Sequence, residues 1–210
     1  MQAVILAAGK GTRMYPLAVD KPKPLIEVAN KPVLEHNLEQ MLGLVEEVVI
    51  IVGYKKDMII NRFGNNYKGI KITYVVQEEQ LGTGHAVLMA KEFVNEKFLV
   101  LNGDDLFSRK DMGNISKYEN CILIKYKRDA SAFGAVVIEN GKVKDIVEKS
   151  KEFVSNYVNA GMYCFSPEVF AILQGLEPSI RGEYELTDAV KVLAKQGKMH
   201  AEEVKGYWIP

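Results

Sequence analysis

Residues 1–14, MQAVILAAGKGTRM, join an apolar run to a loop that contains two glycines and two cations. The apolar run over 1–8 alternates little between apolar and polar residues, which is typical of a central strand covered on both faces. Glycines let a loop backbone approach a ligand closely, and several N–H groups of such a loop can bind one anion. Arg13 adds a planar guanidinium that suits phosphate oxygens, whereas Lys10 adds a single mobile charge. The stretch predicts a buried strand followed by a phosphate-binding loop.

The first half of the chain alternates between strand-like and helix-like segments. After the first strand, the pattern predicts strands over 46–52, 71–76 and 97–102, and helices over 34–42, 83–94 and 112–118. Strand, helix, strand is the repeating unit of a parallel sheet. We therefore expect a parallel sheet in this half.

In the second half of the chain, predicted strands follow one another without a helix between them. Strands are predicted over 121–126, 133–139, 142–148 and 157–165, and Asn140-Gly141 favours a tight hairpin between the second and the third. Helices are predicted over 167–176 and 186–196, with Thr187 and Asp188 capping the second of them. A last strand is predicted around Trp208. These segments indicate an antiparallel portion added to the parallel sheet.

Composition limits the partners and the compartment. The 210 residues carry 27 basic and 27 acidic side chains, so the chain has no net field to attract nucleic acid or an anionic membrane. No apolar run is long enough to cross a bilayer, and no leader pattern opens the chain. Cys121 and Cys164 lie in apolar runs, which favours buried, reduced thiols. We expect one cytoplasmic domain over 1–210, with neither a nucleic-acid nor a membrane partner.

Three known interpretations of a glycine-rich loop fit poorly here. A Walker loop would place Gly-Lys before Ser or Thr, but Gly9-Lys10 precedes Gly11. A dinucleotide fingerprint would place a third glycine where Met14 stands. A simple tight turn accounts for the glycines and leaves the surrounding cations unexplained.

A longer pattern, LAAGKGTRMYPL (6–17) followed by DKPKPLIEVANKPVLEH (20–36), resembles the signature of the sugar-1-phosphate nucleotidyltransferases. These enzymes join a nucleoside triphosphate to a sugar phosphate and release pyrophosphate. The chain most resembles uridylyl and thymidylyl members, including the pyrophosphorylase half of archaeal bifunctional enzymes that carry a C-terminal acetyltransferase domain. The resemblance implies a Rossmann-like, three-layer α/β/α fold with a mixed, mostly parallel central sheet and an added antiparallel sugar-binding portion. It also implies that 1–210 is a nucleotidyltransferase domain lacking a C-terminal extension or domain.

The resemblance assigns catalytic roles to Arg13, Lys23 and Asp104. Asp104 follows a predicted buried strand, a position from which a carboxylate reaches the crevice of an open α/β sheet. It matches the metal-binding aspartate of the family, and Mg²⁺ suits a site completed by waters and phosphate oxygens. The neighbouring Asp105 is interpreted as an ordinary loop acid.

A second group of residues is implied to bind the nucleotide. Its members are Leu6, Ala8, Gly9, Lys10, Gly11, Thr12, Gln77, Gly82 and Thr83. The Gln77 amide can pair with uracil or thymine, but a freely flipping amide would tolerate cytosine as well, so backbone groups around Gly82 are expected to enforce the choice. His85 is expected to pack at the start of a helix without a catalytic role.

A third group is implied to bind the sugar phosphate. Its members are Gly134, Glu148, Lys149, Asn159 and Gly161. The glycines would make room, Glu148 and Asn159 would bond hydroxyls, and Lys149 would face the phosphate. The implied substrates are UTP or dTTP with glucose-1-phosphate or N-acetylglucosamine-1-phosphate, and the oligomeric state, a homo-oligomer included, is left open.

The chain departs from the family pattern in one place. Relatives carry a second metal-binding aspartate two residues after the tryptophan of this motif, where Pro210 follows Trp208-Ile209. A proline side chain offers no oxygen ligand. This departure leaves open a catalytically silent nucleotide-sugar binding subunit. A GTP-using mannose-1-phosphate relative is a further alternative, which concerns the base-binding loop around Gln77 and Gly82.

Overall fold

The computed structural model describes residues 1–9, 11, 20–148 and 152–210. The strands are β1 (Gln2–Ala7), β2 (Glu27–Val28), β3 (Lys31–Pro32), β4 (Glu47–Val52), β5 (Asn66–Tyr67), β6 (Ile70–Val76), β7 (Phe98–Asn102), β8 (Leu106–Phe107), β9 (Cys121–Tyr126), β10 (Gly134–Glu139), β11 (Lys142–Glu148), β12 (Tyr157–Phe165), β13 (His200–Glu203) and β14 (Trp208–Ile209). The α-helices are α1 (Val33–Met41), α2 (Lys56–Phe63), α3 (Thr83–Leu88), α4 (Arg109–Ile115), α5 (Val169–Gln174) and α6 (Leu186–Lys195), and short 3₁₀ helices span Lys23–Leu25 and Lys91–Phe93.

A ten-stranded mixed sheet forms the centre of the molecule, in the order β10-β11-β13-β9-β12-β7-β1-β4-β6-β5. β7, β1, β4 and β6 run parallel to one another. β12 then pairs antiparallel with β7, and β9 antiparallel with β12. The mixed sheet, with a parallel part and an antiparallel addition, confirms the predicted architecture.

The apolar residues of the sheet build a core on each side of it. Ala3 and Ile5 of β1 belong to one buried cluster, and Val4 belongs to the other. Successive side chains of a strand point to opposite faces, so a strand that is apolar throughout is stable only between two layers. Cys121 and Cys164 are buried free thiols, as predicted.

Three local predictions are wrong in their details. The helix predicted over 83–94 ends as α3 at Leu88 and is followed by a 3₁₀ turn over Lys91–Phe93, where the buried Gln2 side chain binds the backbone of Phe93 and Asn95 and ties the chain to β1. The helix predicted over 112–118 begins at Arg109, because Ser108 accepts a hydrogen bond from the backbone N–H of Asp111 and caps the first turn.

The third correction concerns the start of α6. Neither Thr187 nor Asp188 caps this helix; its flanking residue Glu185 makes no capping bond either. The backbone N–H of Leu186 instead donates to Oγ1 of Thr83, at 3.1 Å. A side chain from a distant helix therefore supplies the cap, which a local sequence pattern does not reveal.

Besides the two-residue strands β2, β3, β5 and β8 and the 3₁₀ turn Lys23–Leu25, two longer elements have no counterpart in the sequence predictions. α2 follows Lys55, which adopts a left-handed conformation, and buries only Ile59 and Phe63. β13 pairs parallel with β9 through the sequence HAEE, which lacks an apolar pattern. Across the described ranges 1–9, 11, 20–148 and 152–210, no helix has the length and apolar character needed to cross a bilayer.

Candidate functional site

The parallel strands end at one edge of the sheet, and the candidate residues lie along that edge. Gly9 follows β1, Gln77 follows β6, and Asp104 lies two residues after β7. The order β7-β1-β4-β6 places three strand spacings between the first and the last of these positions, a separation of about 14 Å. This edge is where open α/β sheets bind their ligands, and it is long enough for an extended nucleotide.

Lys23 and Asp104 form an ion pair at this edge, with Nζ of Lys23 2.8 Å from Oδ2 of Asp104. Lys23 lies between Pro22 and Pro24 and is the first residue of the 3₁₀ turn Lys23–Leu25. The buried side chains of Pro24 and Leu25 anchor this turn. The fixed backbone angle of proline restricts the path of the lysine backbone. The sequence predicted both groups for one site, and the structure brings them into direct contact.

Two cavities open beside this ion pair. The smaller one, of about 80 Å³, is lined by Leu6, Ala7, Gly9, Lys23, Pro24 and Asp104. The larger one, of about 390 Å³, is also lined by Lys23 and Asp104. The other predicted residues that line it are Thr83, Gly134, Glu148, Asn159 and Gly161. The ion pair therefore lies between the glycine-loop side and the predicted sugar side.

The glycines of the larger cavity leave room for protein side chains. A Cβ on Gly134 would lie 2.7 Å from Oε2 of Glu148, its partner across the β10–β11 pair. A Cβ on Gly161 would lie 2.2 Å from Nδ2 of Asn102, and Gly161 has a φ of +76° in an irregular stretch of β12. Both glycines thus allow a polar side chain to enter the cavity wall.

Asn159 is held in place by its own strand. Its Nδ2 donates to the Tyr163 hydroxyl at 2.7 Å, and its Oδ1 accepts from the N–H of Gly161 at 2.9 Å. An amide has two N–H groups and two lone pairs on its oxygen. Counting the bonds to described residues, one N–H and one lone pair of Asn159 stay available for a ligand.

Asp105 is a buried acid that the sequence interpretation undervalued. Its Oδ2 accepts from Nε1 of Trp208 at 3.3 Å and lies 3.5 Å from Nδ2 of Asn102. Burial, followed by the charge of Asp104, raises the pKa of Asp105 to about 7. β14 pairs with β8 directly after Asp105, so the terminal strand brings the indole to the carboxyl. In the sequence, the feature that could have pointed to Asp105 is the second aspartate of NGDD (102–105), directly after a predicted strand.

Arg181 is a second residue that the sequence analysis missed. It lines the larger cavity from the loop before α6. Its Nη2 lies 2.7 Å from Oε1 of the nearly buried Glu185 and 3.3 Å from Oε2 of Glu183. In the sequence, the feature that could have pointed to Arg181 is its position close to Glu183 and Glu185, just before a predicted helix. The loop thus brings one cation and two acids to the predicted sugar side.

Gln77 lies at the far end of the edge and does not line the larger cavity. It is 4% exposed, and its backbone N–H donates to the carbonyl of Val52 at 2.8 Å. The neighbouring Gly82 packs against the loop before α6, where an added Cβ would lie 2.5 Å from the carbonyl oxygen of Tyr184. Ala8 is buried in the core beside this edge.

Four predicted site residues lie outside the described ranges: Lys10, Thr12, Arg13 and Lys149. Gly11 lies within them and has a φ of +69°, a conformation that glycine adopts without strain. The described part of the glycine loop is therefore Gly9 and Gly11.

Comparison with known proteins places the chain among enzymes. The model of the nucleotidyl transferase family matches residues 2–209. The chain belongs to this family. This membership confirms the predicted resemblance and the predicted enzyme class.

Relatives in this family share the whole domain. The chain is 47% identical to the bifunctional protein GlmU of Methanococcus maripaludis strain S2 over 99% of its own length and 50% of that protein, so it spans half the length of this relative. It is 39% identical to UTP–glucose-1-phosphate uridylyltransferase AglF of Haloferax volcanii, over 94% of this chain and 85% of AglF.

Solved structures of family members have the same fold. A UDP-glucose pyrophosphorylase complexed with UDP-glucose superposes with a TM-score of 0.88 at 27% identity, over 99% of this chain and 91% of that one. A Bacillus anthracis protein described as a glucose-1-phosphate thymidylyltransferase superposes with the same TM-score at 30% identity, over 99% of this chain and 89% of the other. The predicted mixed α/β fold is therefore confirmed by structure.

Proposed function

We propose that this domain transfers a nucleoside monophosphate from UTP or dTTP to a sugar 1-phosphate, giving a nucleotide sugar and pyrophosphate. Glucose-1-phosphate and N-acetylglucosamine-1-phosphate are the proposed acceptors. The observation that carries the proposal is the Lys23–Asp104 ion pair between the two cavities. Relatives named as uridylyltransferase and UDP-glucose pyrophosphorylase support the choice of reaction.

The reaction brings two polyanions together, so its catalyst must mainly neutralise and align charge. Lys23 is 20% exposed and can place its ammonium between the nucleotide and the sugar phosphate, because it lines both cavities. The backbone of Gly9 and Gly11 would hold the triphosphate, together with Arg13. Proper alignment lets the sugar-phosphate oxygen attack the α-phosphorus while pyrophosphate leaves.

The proposed Mg²⁺ fits the donors at this edge. Mg²⁺ keeps several waters and binds through one or two carboxylates plus substrate phosphates. Asp104 supplies a partly exposed carboxylate beside the cavities, whereas Asp105 is engaged by Trp208. Within the ranges that the structure describes, no three acidic, histidine or cysteine side chains form a closed cage for a metal. A bound Mg²⁺ would supply charge neutralisation at the phosphates, with Asp104 as its protein ligand.

The larger cavity offers mainly polar groups to the sugar phosphate. Glu148 and Asn159 present oxygen and nitrogen atoms for hydroxyls, and Arg181 presents a guanidinium for a phosphate. Lys149 follows Glu148 in the sequence and is proposed to add a second cation. This arrangement favours a small, hydroxylated, anionic acceptor.

The direct test is pyrophosphate release with Mg²⁺, UTP or dTTP, and each of the two sugar phosphates. We expect release with at least one pair, and none without the sugar phosphate. Absence of release across all four pairs would refute the proposal. GTP with mannose-1-phosphate is the comparison reaction, and calorimetric titration with a UDP-sugar distinguishes a silent binding protein from a protein that lacks the site.

A further inference from the structure

The carboxylate of Asp111 is fully buried in the first turn of α4 and binds three donors. Its Oδ1 accepts from the backbone N–H of Lys205 at 2.7 Å and from that of Gly206 at 3.2 Å. Its Oδ2 accepts from the hydroxyl of Ser108 at 2.6 Å and from the N–H of Gly206 at 3.0 Å. Hydrogen bonds to a charged acceptor are stronger than those between neutral groups, so this carboxylate ties the chain before β14 to α4.

Ser108 and Asp111 have the spacing of a capping box, but a distant segment completes the box. In a capping box, the acid at the third helical position binds the backbone N–H of the cap residue. Here the acid binds Lys205 and Gly206, and the backbone N–H of Ser108 donates instead to the carbonyl of Tyr207 at 3.2 Å. Both halves of the motif therefore hold the segment 205–207.

The three residues of segment 205–207 are exposed and lie between the buried Val204 and β14. Its backbone bonds to α4, rather than buried side chains, therefore hold this segment. The fit is close, because a Cβ on Gly206 would overlap Oγ of Ser108 and lie 3.0 Å from Oδ2 of Asp111. Exposed segments with few buried contacts open readily, so the position of this one depends on its bonds to α4.

Trp208 directly follows segment 205–207. Its Nε1 donates to Oδ2 of Asp105 at 3.3 Å, and its ring meets that of Phe133 edge-on, with 5.4 Å between the ring centroids. All three residues line the larger cavity. The position of the indole in the cavity wall thus depends on the backbone path that Asp111 fixes.

We propose that Asp111 is a positioning residue that holds segment 205–207 and thereby places the Trp208 indole in the wall of the larger cavity. Asp111 acts from outside the cavity, which other residues line. The inference rests on the proposed function, because it takes the larger cavity as the site of the sugar phosphate. Loss of the carboxylate would free the segment, move the indole away from Asp105 and weaken the binding of the sugar phosphate more than that of the nucleotide.

The test compares Asp111→Ala with Asp111→Asn. Trp208 is the only tryptophan of the chain, so its fluorescence reports the position of this one side chain. We expect Asp111→Ala to raise the acrylamide quenching constant about twofold or more, since a released segment exposes the indole to solvent. In the same variant, KM for glucose-1-phosphate or N-acetylglucosamine-1-phosphate, whichever the wild type uses, should rise about fivefold or more, while KM for UTP changes by less than about twofold. Asparagine keeps an acceptor oxygen for Lys205 and Gly206, so Asp111→Asn should restore most of both losses.

The outcomes separate this inference from the proposed function. Unchanged quenching and an unchanged KM in a folded Asp111→Ala protein overturn the positioning role and leave the proposed function intact, because a lower melting temperature alone would mark a structural role. Raised quenching with an unchanged KM overturns the role as well, since the indole would then move without consequence for the site. Raised quenching in Asp111→Ala, when even the wild type releases no pyrophosphate, supports the placement of Trp208 and refutes the proposed reaction.

Gly206→Ala is an independent test, and it replaces Asp111→Ala if that variant does not fold. Its methyl group would displace Ser108 or Asp111, whereas Gly113→Ala in α4 has nothing within 4 Å of the added Cβ. We expect Gly206→Ala to raise the quenching constant and the KM for the sugar phosphate as Asp111→Ala does, and Gly113→Ala to match the wild type in both. Equal values in Gly206→Ala and Gly113→Ala would overturn the inference.

Discussion

Replacing Gly161 with alanine adds one carbon atom, Cβ, to the wall of the larger cavity, where it would meet the side chain of Asn102. The added Cβ would lie 2.2 Å from Nδ2 and 2.9 Å from Cγ of Asn102, so that side chain must move. Nδ2 of Asn102 lies 3.5 Å from Oδ2 of Asp105, and Asp105 and Asn159 line the same cavity. The substitution should therefore disturb both the fold and the cavity.

The magnitude has two separable parts. Gly161 has a φ of +76°, and placing an alanine in this left-handed region costs about 1–2 kcal/mol. Displacing Asn102 in a packed wall adds about 1–3 kcal/mol. Gly141→Ala is a matched control, because Gly141 has a φ of +74° and nothing within 4 Å of the added Cβ. Gly141→Ala therefore incurs the energy of the left-handed backbone without the displacement of a neighbouring side chain.

Urea denaturation and initial rates of pyrophosphate release measure the two effects. We expect Gly141→Ala to lose only the backbone contribution and to keep its activity within about twofold, and Gly161→Ala to lose about 1–3 kcal/mol more together with at least tenfold in kcat/KM. Equal stability and equal activity in the two variants would refute the reasoning, since Asn102 would then accommodate the methyl group at no cost.

Three further substitutions probe the charges of the site and one acid outside it. Asp104→Asn should reduce turnover by at least about tenfold while the melting temperature changes little; a large fall in melting temperature with intact turnover would contradict its role. Lys23→Gln removes the cation that competes for Asp104, so Mg²⁺ should bind the free protein about fivefold more tightly while turnover falls; weaker Mg²⁺ binding by calorimetry would oppose this. Hydrogen bonds from two lysines lower the pKa of Glu39 from 4.5 to about 2, so its stabilising contribution is complete above pH 4.5 and is lost as the pH falls towards 2. Glu39→Gln should therefore flatten the pH dependence of the unfolding free energy in that window, and an unchanged slope would count against the assignment.

The sequence predicted the sheet well because most of its longer strands are continuous apolar runs. A strand such as β4, apolar along almost its whole length, can be stable only in the middle of a layered sheet, so its type and approximate position follow from composition alone. β13 has no such pattern, since it is a partly exposed strand held by pairing with β9. Long-range pairing, which one segment does not encode, placed it in the sheet.

The candidate-site residues that belong to a sequence motif could be predicted. Those whose environment depends on contacts between distant parts of the chain could not. Lys23 and Asp104 followed from a long family pattern and from the position of a carboxylate after a strand, and the structure places them 2.8 Å apart. Asp105 could not be assigned in the same way, because its buried state depends on the indole of Trp208 reaching it from the end of the chain. The cap of α6 by Thr83 was hidden for the same reason.

The loop before α6 contacts Gly82, which precedes α3, and Gly84, which lies in its first turn, and this contact couples two parts of the candidate site. The backbone of Tyr184 donates to Leu81 and accepts from Gly84, so a single stretch of main chain borders the loop proposed to bind the base and also carries Arg181 to the larger cavity. Grafting the 81–84 loop of a relative into this chain would shift both ends of the binding groove together. Engineers who transplant 177–185 along with that loop keep the contact intact, but they also replace Arg181, which lines the larger cavity.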